Sequence, residues 1–181
     1  HQGGHTAATV KANGYGLGVV QVSQALADAG CQTFFVATLD EAIELRDALP
    51  DHTIYVFQGM LKGEAQTYTQ YNLHPIINTL AQLNELARIG AGQPAAALHV
   101  DTAMQRLGLQ WEEFAQDDTL KMIKAANIDV LMTHYACASD LMHPHNIRQR
   151  NMVQQAHELL PHLRTSYGNS GAHFLDPSYH G

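Results

Sequence analysis

The sequence predicts an incomplete (β/α)8 barrel of the TIM type, an α/β fold. Three observations point to it. Short apolar, β-branched or aromatic runs alternate along the chain with longer segments of helical periodicity. Runs such as Phe34-Phe35-Val36-Ala37 and Asp129-Val130-Leu131-Met132 do not alternate with polar residues. Both of their faces are therefore expected to be buried, as in parallel strands covered by helices. Seven such strands are spaced over 181 residues, whereas a complete barrel has eight strands and typically takes about 250 residues. Residues 1–181 are accordingly read as one barrel domain truncated at both ends, with the last strand absent. A complete doubly wound sheet is the alternative architecture.

In chain order, the predicted strands are Thr6–Val10, Thr33–Ala37, Thr53–Phe57, Leu73–Ile77, Ala95–Val100, Asp129–Thr133 and Thr165–Tyr167. The predicted helices are Gly18–Ala29, Asp40–Leu49, Glu64–Tyr71, Leu80–Ile89, Trp111–Asn127 and Asn146–Leu163. Thr38-Leu39-Asp40-Glu41 reads as a capping box opening the second helix, and Pro50 stops that helix. Gly30 and Gly90 follow helices, where a left-handed residue is wanted. No linker, low-complexity tract or solenoid repeat interrupts the series.

Composition narrows the function classes. Hydrophobic residues make up 45% of the chain, enough for a buried core, and charged residues only 15%. Lys and Arg number 10 against 17 Asp and Glu, a formal net charge of −7. Nucleic acids and anionic membranes demand the opposite sign, so neither is an expected partner. No run reaches the ~18 apolar residues of a membrane helix. His1-Gln2-Gly3-Gly4-His5 lacks the basic and apolar regions of a signal peptide. Cys31 and Cys137 lie far apart and form neither a disulfide framework nor a metal knuckle. A reducing cytoplasm is the expected location.

Four polar sets fall at the C-terminal ends of predicted strands, the rim on which such barrels carry chemistry. Lys11 ends the first strand and opens Lys11-Ala12-Asn13-Gly14-Tyr15-Gly16-Leu17-Gly18. Apolar walls there favour the neutral amine, which attacks aldehydes. Glycine N–H groups and the following helix N-terminus suit an anion. A lysine beside a phosphate cradle is what pyridoxal 5'-phosphate requires. The plainer reading is a lysine snorkelling beside an ordinary glycine turn.

The second set is His99-Val100-Asp101-Thr102-Ala103-Met104-Gln105-Arg106-Leu107-Gly108 after the fifth strand. Arg106 can donate paired bonds to a carboxylate or phenolate, with Asp101 expected to orient it. A surface Asp–Arg pair is the plainer reading. The third is Thr133-His134-Tyr135-Ala136, where His134 can stack on a ring or serve structure alone. The fourth, Tyr167-Gly168-Asn169-Ser170-Gly171, has donors suited to phosphate, or forms a local Asn/Ser turn. Each set is weak alone, and their shared rim is what favours chemistry. His143-Pro144-His145 lacks a third ligand nearby, so no metal is expected. Asp40, Glu41 and Glu44 read as a solvated helix face near a helix N-terminus. Trp111 and Phe114 read as core.

The lysine block resembles that of the alanine racemases, the fold-type III pyridoxal-phosphate family. The resemblance continues through Phe34–Ala42, His99–Gly108, Thr133–Ala136, Asn169-Ser170 and Pro177-Ser178-Tyr179-His180, in the family's order. It implies interconversion of L- and D-alanine with pyridoxal 5'-phosphate as cofactor, supplying D-alanine for peptidoglycan. It implies an amino-acid substrate and a homodimer in the full-length protein. Lys11 resembles the lysine that holds the cofactor covalently and acts as one base. Tyr15 resembles a phosphate contact. Arg106 resembles the arginine that bonds the cofactor's phenolic oxygen and helps place the substrate carboxylate. His134 resembles the histidine packed on the pyridine ring, Asn169 and Ser170 the segment around the phosphate, and Met104 a residue near the substrate pocket. Two positions depart from the family pattern. His99 stands where many members have a carbamylated lysine, and Ala103 replaces a usual glycine. The family also has a further strand, with an arginine at the pyridine nitrogen, and a β domain carrying a second catalytic tyrosine. Residues 1–181 contain neither, so this chain alone is expected to be nearly inactive. A barrel that binds pyridoxal phosphate without turnover is an alternative, disfavoured by the Asp101–Arg106 block. A racemase of another amino acid, such as serine, is another.

Overall fold

The structure is a computed structural model. It describes residues 5–90, 92 and 95–174, apart from the side chain of residue 173. The Pro177–His180 segment of the resemblance lies outside these residues. Seven strands form one sheet in chain order: β1 (Ala8–Thr9), β2 (Thr33–Val36), β3 (Thr53–Val56), β4 (His74–Ile77), β5 (Ala96–His99), β6 (Ile128–Met132) and β7 (Arg164–Ser166). Every neighbouring pair is parallel. This is the strand order of an incomplete α/β barrel, as the periodicity predicts. The helices are α1 (Lys11–Tyr15), which is a single irregular turn, then α2 (Val19–Asp28), α3 (Leu39–Ala48), α4 (Ala65–Gln70), α5 (Leu80–Ile89), α6 (Trp111–Phe114), α7 (Asp117–Ala125) and α8 (Pro144–Leu159).

The strands lack polar alternation because both faces are packed. Phe35, Tyr55, Ile76, Ala97, Val130 and Met132 form one buried cluster on the inner face. Their chain neighbours Phe34, Val36, Ile54, Val56, Ile77, Leu98 and Leu131 join a larger cluster with helix residues such as Leu45, Leu83, Leu86, Phe114 and Ala156. Side chains of a strand alternate between faces, so each strand feeds both layers.

Local chemistry explains where the helices begin and end. Thr38 accepts from the Glu41 N–H and Thr79 from the Gln82 N–H, capping α3 and α5. Gly30 and Gly90 have positive φ after α2 and α5. The single helix expected over Trp111–Asn127 is two, because Gln116 is extended and starts a second N-terminus with Asp117 and Asp118 in its first turn. The last helix begins at Pro144, which suits a first helical position. It ends at Leu159 rather than 163, because Leu160 precedes Pro161 and leaves the helical region (φ −134°, ψ 59°). Among the described residues no helix is long and apolar enough to cross a membrane. Cys31 and Cys137 are free thiols.

Candidate active site

The site is built from the segments that leave β1, β5, β6 and β7 on one rim. Val10 extends β1, its N–H donating to Phe35 O at 2.9 Å. The chain then turns through four consecutive positive-φ residues: Ala12 (52°), Asn13 (52°), Gly14 (62°) and Tyr15 (55°). Non-glycine residues adopt this region only at a cost, so the surroundings must impose it. Gly14 N–H donates to Val10 O at 2.9 Å and Gly18 N–H to Asn13 O at 3.0 Å. The Asn13 side chain accepts from Val19 N–H at 2.8 Å, which caps α2. Lys11 stands at the head of this turn, half-buried. Its Nζ lies 5.9 Å from the Phe57 ring centroid. Phe57 stacks on Phe35 at 5.3 Å, and Phe35 on Tyr55 at 5.1 Å, so the amine stands over an aromatic column from the inner layer. No carboxylate pairs with Lys11 among the described residues.

After β5 the chain folds back on itself. Leu109 N–H donates to His99 O at 2.8 Å and Asp101 N–H to Leu109 O at 2.9 Å, closing the loop that holds Arg106. Gly108 (φ +105°) permits this return, since a Cβ there would sit 2.8 Å from Asp101 N and 3.0 Å from His99 O. Asp101 does not orient Arg106, contrary to expectation. Positive φ at Ala103 and Gln105 turns backbone N–H groups inward onto its carboxylate. That carboxylate accepts from Met104 N–H (2.8 Å), Gln105 N–H (2.9 Å) and Gln110 Nε2 (3.0 Å). Arg106 is exposed, with no hydrogen-bond or ion-pair partner among the described residues. Its charge is still felt by both nearby imidazoles. Burial first, then coupling to His134, holds His99 down at about 4; Asp101 pulls it up by more than Arg106 pulls it down. Burial first, then Arg106 and Lys11, lowers the pKa of His134. Both imidazoles at the site are thus shifted toward the neutral form.

The hydrogen-bond pattern also fixes their tautomers. Asn78 Nδ2 donates to Phe57 O (2.8 Å) and Ile76 O (2.9 Å), so its Oδ1 accepts from His99 Nδ1 at 3.0 Å. His99 thus carries its proton on Nδ1 and leaves Nε2 as an acceptor. Asn169 accepts from Ala172 N–H through Oδ1 (3.0 Å) and donates through Nδ2 to Tyr135 O (3.0 Å). The same Nδ2 faces His134 Nε2 at 3.4 Å, which makes that nitrogen the acceptor. The N–H groups of Asn169, Ser170 and Gly171 have no acceptor among the described residues. Ser170 and Tyr15 are exposed, and Met104 is half-buried on the Arg106 loop.

A profile described as "Alanine racemase, N-terminal domain" matches residues 1–181. The chain belongs to the alanine racemase family. It is 36% identical over 178 residues to an alanine racemase of Rickettsia typhi, covering 96% of this chain and 44% of that protein. It is 35% identical to an alanine racemase of Rickettsia africae, covering 96% and 50%. Its fold superposes on the crystal structure of alanine racemase from Bartonella henselae with covalently bound pyridoxal phosphate at a TM-score of 0.90, with 31% identity over 97% of this chain and 53% of that one. The alanine racemase of Acinetobacter baumannii matches at 0.86 and 26% identity. The chain spans about half the length of the relatives it matches.

Sequence reasoning missed the residues that hold this racemase-family rim together. Gln149 on α8 donates to Thr102 Oγ1 (3.0 Å) and His134 O (2.9 Å) and accepts from Ala136 N–H (2.9 Å). Thr133 donates to Val100 O at 2.8 Å and stands 2.8 Å from Thr102 Oγ1, so Thr102 is the donor between them. The segments after β5 and β6 are thereby tied to one helix. Gln82 accepts from Asn78 N–H (2.8 Å) and donates to Gln58 O (2.9 Å), steadying the support of His99. Glu41 is not the solvated helix-face residue that the sequence suggests: its carboxylate bonds two backbone N–H groups at the rim. Its place three residues after Thr38 was the one available signal. His143 is a helix cap that accepts from His145 N–H (3.2 Å), and His145 Nε2 faces Ala103 O at 3.0 Å. The described residues contain no metal-ligating cluster.

Proposed function

We propose that the full-length protein containing this chain interconverts L- and D-alanine with pyridoxal 5'-phosphate bound at Lys11. The observation that carries the reading is a primary amine with no acidic partner among the described residues, placed over an aromatic column on the rim that also holds Arg106, His134 and Asn169. The donor set fits the cofactor. Lys11 supplies the amine for its aldehyde, and the N–H groups of Asn169, Ser170 and Gly171 are available to a phosphate, with Tyr15 beside the Lys11 turn. When bound, the cofactor acts as an electron sink that acidifies the α-proton of an amino acid.

The chain's own residues do the rest. His134, whose pKa is lowered by burial and by Arg106 and Lys11, would offer the cofactor a ring that stays neutral more readily than a free imidazole. Arg106, with no carboxylate partner among the described residues, is available to the cofactor's phenolic oxygen and to the substrate carboxylate. Met104, on the same loop, contributes to the substrate pocket. Lys11 carries a proton to or from one face of the α-carbon. Racemisation needs a base on each face, and the second is expected outside these 181 residues. The chain alone is therefore expected to show little turnover, and the working enzyme to be a homodimer in the cytoplasm that supplies D-alanine for peptidoglycan.

The test is L-to-D conversion by the full-length protein with added cofactor, with alanine and serine compared as substrates. The proposal predicts alanine turnover that falls about a thousandfold or more in Lys11→Ala. Turnover that survives this substitution, or that runs faster on serine, contradicts it.

A further inference from the structure

Lys11 does not set its own position. The turn after it places three non-glycine residues, Ala12, Asn13 and Tyr15, at positive φ. The hydrogen bonds within the turn fix its far end, from Gly14 onward into α2. The peptide that directly follows Lys11 is held differently. Ala12 N–H donates across the rim to Glu41 Oε1 at 2.8 Å. The other oxygen of the same carboxylate, Oε2, accepts from Ala37 N–H at 2.7 Å, just beyond β2. Glu41 is itself held in the first turn of α3, where its N–H donates to Thr38 Oγ1 and the helix N-terminus favours its charge.

We propose that Glu41 is a positioning residue for Lys11. It fixes the peptide after the lysine, and so aims the amine over Phe57. The inference rests on the reading that Lys11 carries the cofactor. A carboxylate suits this task because both donors need an acceptor and each oxygen takes one. A glutamine of the same shape accepts only once, and its NH2 would face the second N–H. With that clamp half-open, either the peptide after Lys11 loses its only bond to α3 among the described residues, or the side chain that holds it loses its tie to the end of β2. The strained turn is then free to relax and carry the amine with it.

The probe is pyridoxal 5'-phosphate added to the full-length protein, followed by borohydride and peptide mapping of the adduct at Lys11. Glu41→Gln is compared with the native protein and with Asp40→Asn. The control removes one negative charge from the same exposed helix start without touching either N–H. Adduct formation at Lys11 should slow about tenfold in Glu41→Gln, the factor for one lost charge-assisted hydrogen bond. Asp40→Asn should match the native rate. Amide exchange should quicken at Ala12 and Ala37 in Glu41→Gln while the global unfolding midpoint falls only slightly. Should Glu41→Gln fail to fold, Glu41→Asp keeps the charge, shortens the reach, and should give an intermediate rate. Folded Glu41→Gln or Glu41→Asp protein that labels Lys11 as fast as the native protein overturns the proposal. A native protein that forms no adduct at Lys11 instead overturns the cofactor reading on which it rests.

Discussion

Replacing His99 with glutamine should remove a large part of the protein's acid sensitivity. His99 is 6% exposed and donates from Nδ1 to Asn78, so it is built into the fold as a neutral ring. Burial and nearby positive charge hold its pKa at about 4 in the folded state, against roughly 6.5 in the unfolded chain. The unfolded state therefore binds the extra proton first as pH falls. Stability is full above the unfolded value, declines from about 6.5 downward, and levels off below about 4. Taking these two values, the difference between pH 7 and pH 4.5 comes to roughly 2 kcal/mol. The glutamine amide can still donate to Asn78 Oδ1 but does not titrate in this range. His74 and His134 also have lowered pKa values and both proteins retain them, so His74 cancels in the comparison and His134 enters only through its coupling to His99. Urea unfolding of both proteins at pH 7 and pH 4.5 measures the effect. The native protein should lose roughly 2 kcal/mol more than His99→Gln over that interval. Parallel losses would show that His99 is not held neutral by the fold.

Two further predictions concern the frame around the site. Arg46 is buried with no ion-pair partner among the described residues, and Asp51 acts on it only as a nearby charge. It donates to the carbonyls of Leu49, Pro50, His52, Tyr71 and Asn72. Arg46→Lys keeps the charge but can reach fewer of these acceptors, and should lower unfolding stability by about 2–3 kcal/mol in urea titration. Gly108→Ala places a Cβ against the backbone of β5 at a φ of +105°. It should cost about 1–3 kcal/mol in thermal unfolding and loosen the Arg106 loop, seen as faster amide exchange at Met104 and Gln105.

Much of the barrel was legible because its signals are local. Doubly buried strands such as Phe34-Phe35-Val36 and the cap at Thr38 are read from adjacent residues. So is the rim position of Lys11, which follows from its place at the end of the first strand. The interactions that set the site's geometry are not local. Ala12 meets Glu41 at a separation of 29 residues, Thr102 meets Gln149 at 47, and Arg46 meets Asn72 at 26. Nothing in a helix-face pattern separates a solvated Glu41 from one that reaches a neighbouring strand end. Asp101 misled for a related reason. Its spacing to Arg106 suggested an ion pair, but the positive φ values of Ala103 and Gln105 delivered nearer backbone donors first.

Attachment of the cofactor at the Lys11 amine is the proposal on which the other site roles depend. Incubating the full-length protein with pyridoxal 5'-phosphate, reducing with borohydride and sequencing the labelled peptide by mass spectrometry tests it most directly. One reduced pyridoxyl group on Lys11 per chain, absent from Lys11→Ala, is the predicted result. A label spread over surface lysines, or unchanged in Lys11→Ala, would contradict it.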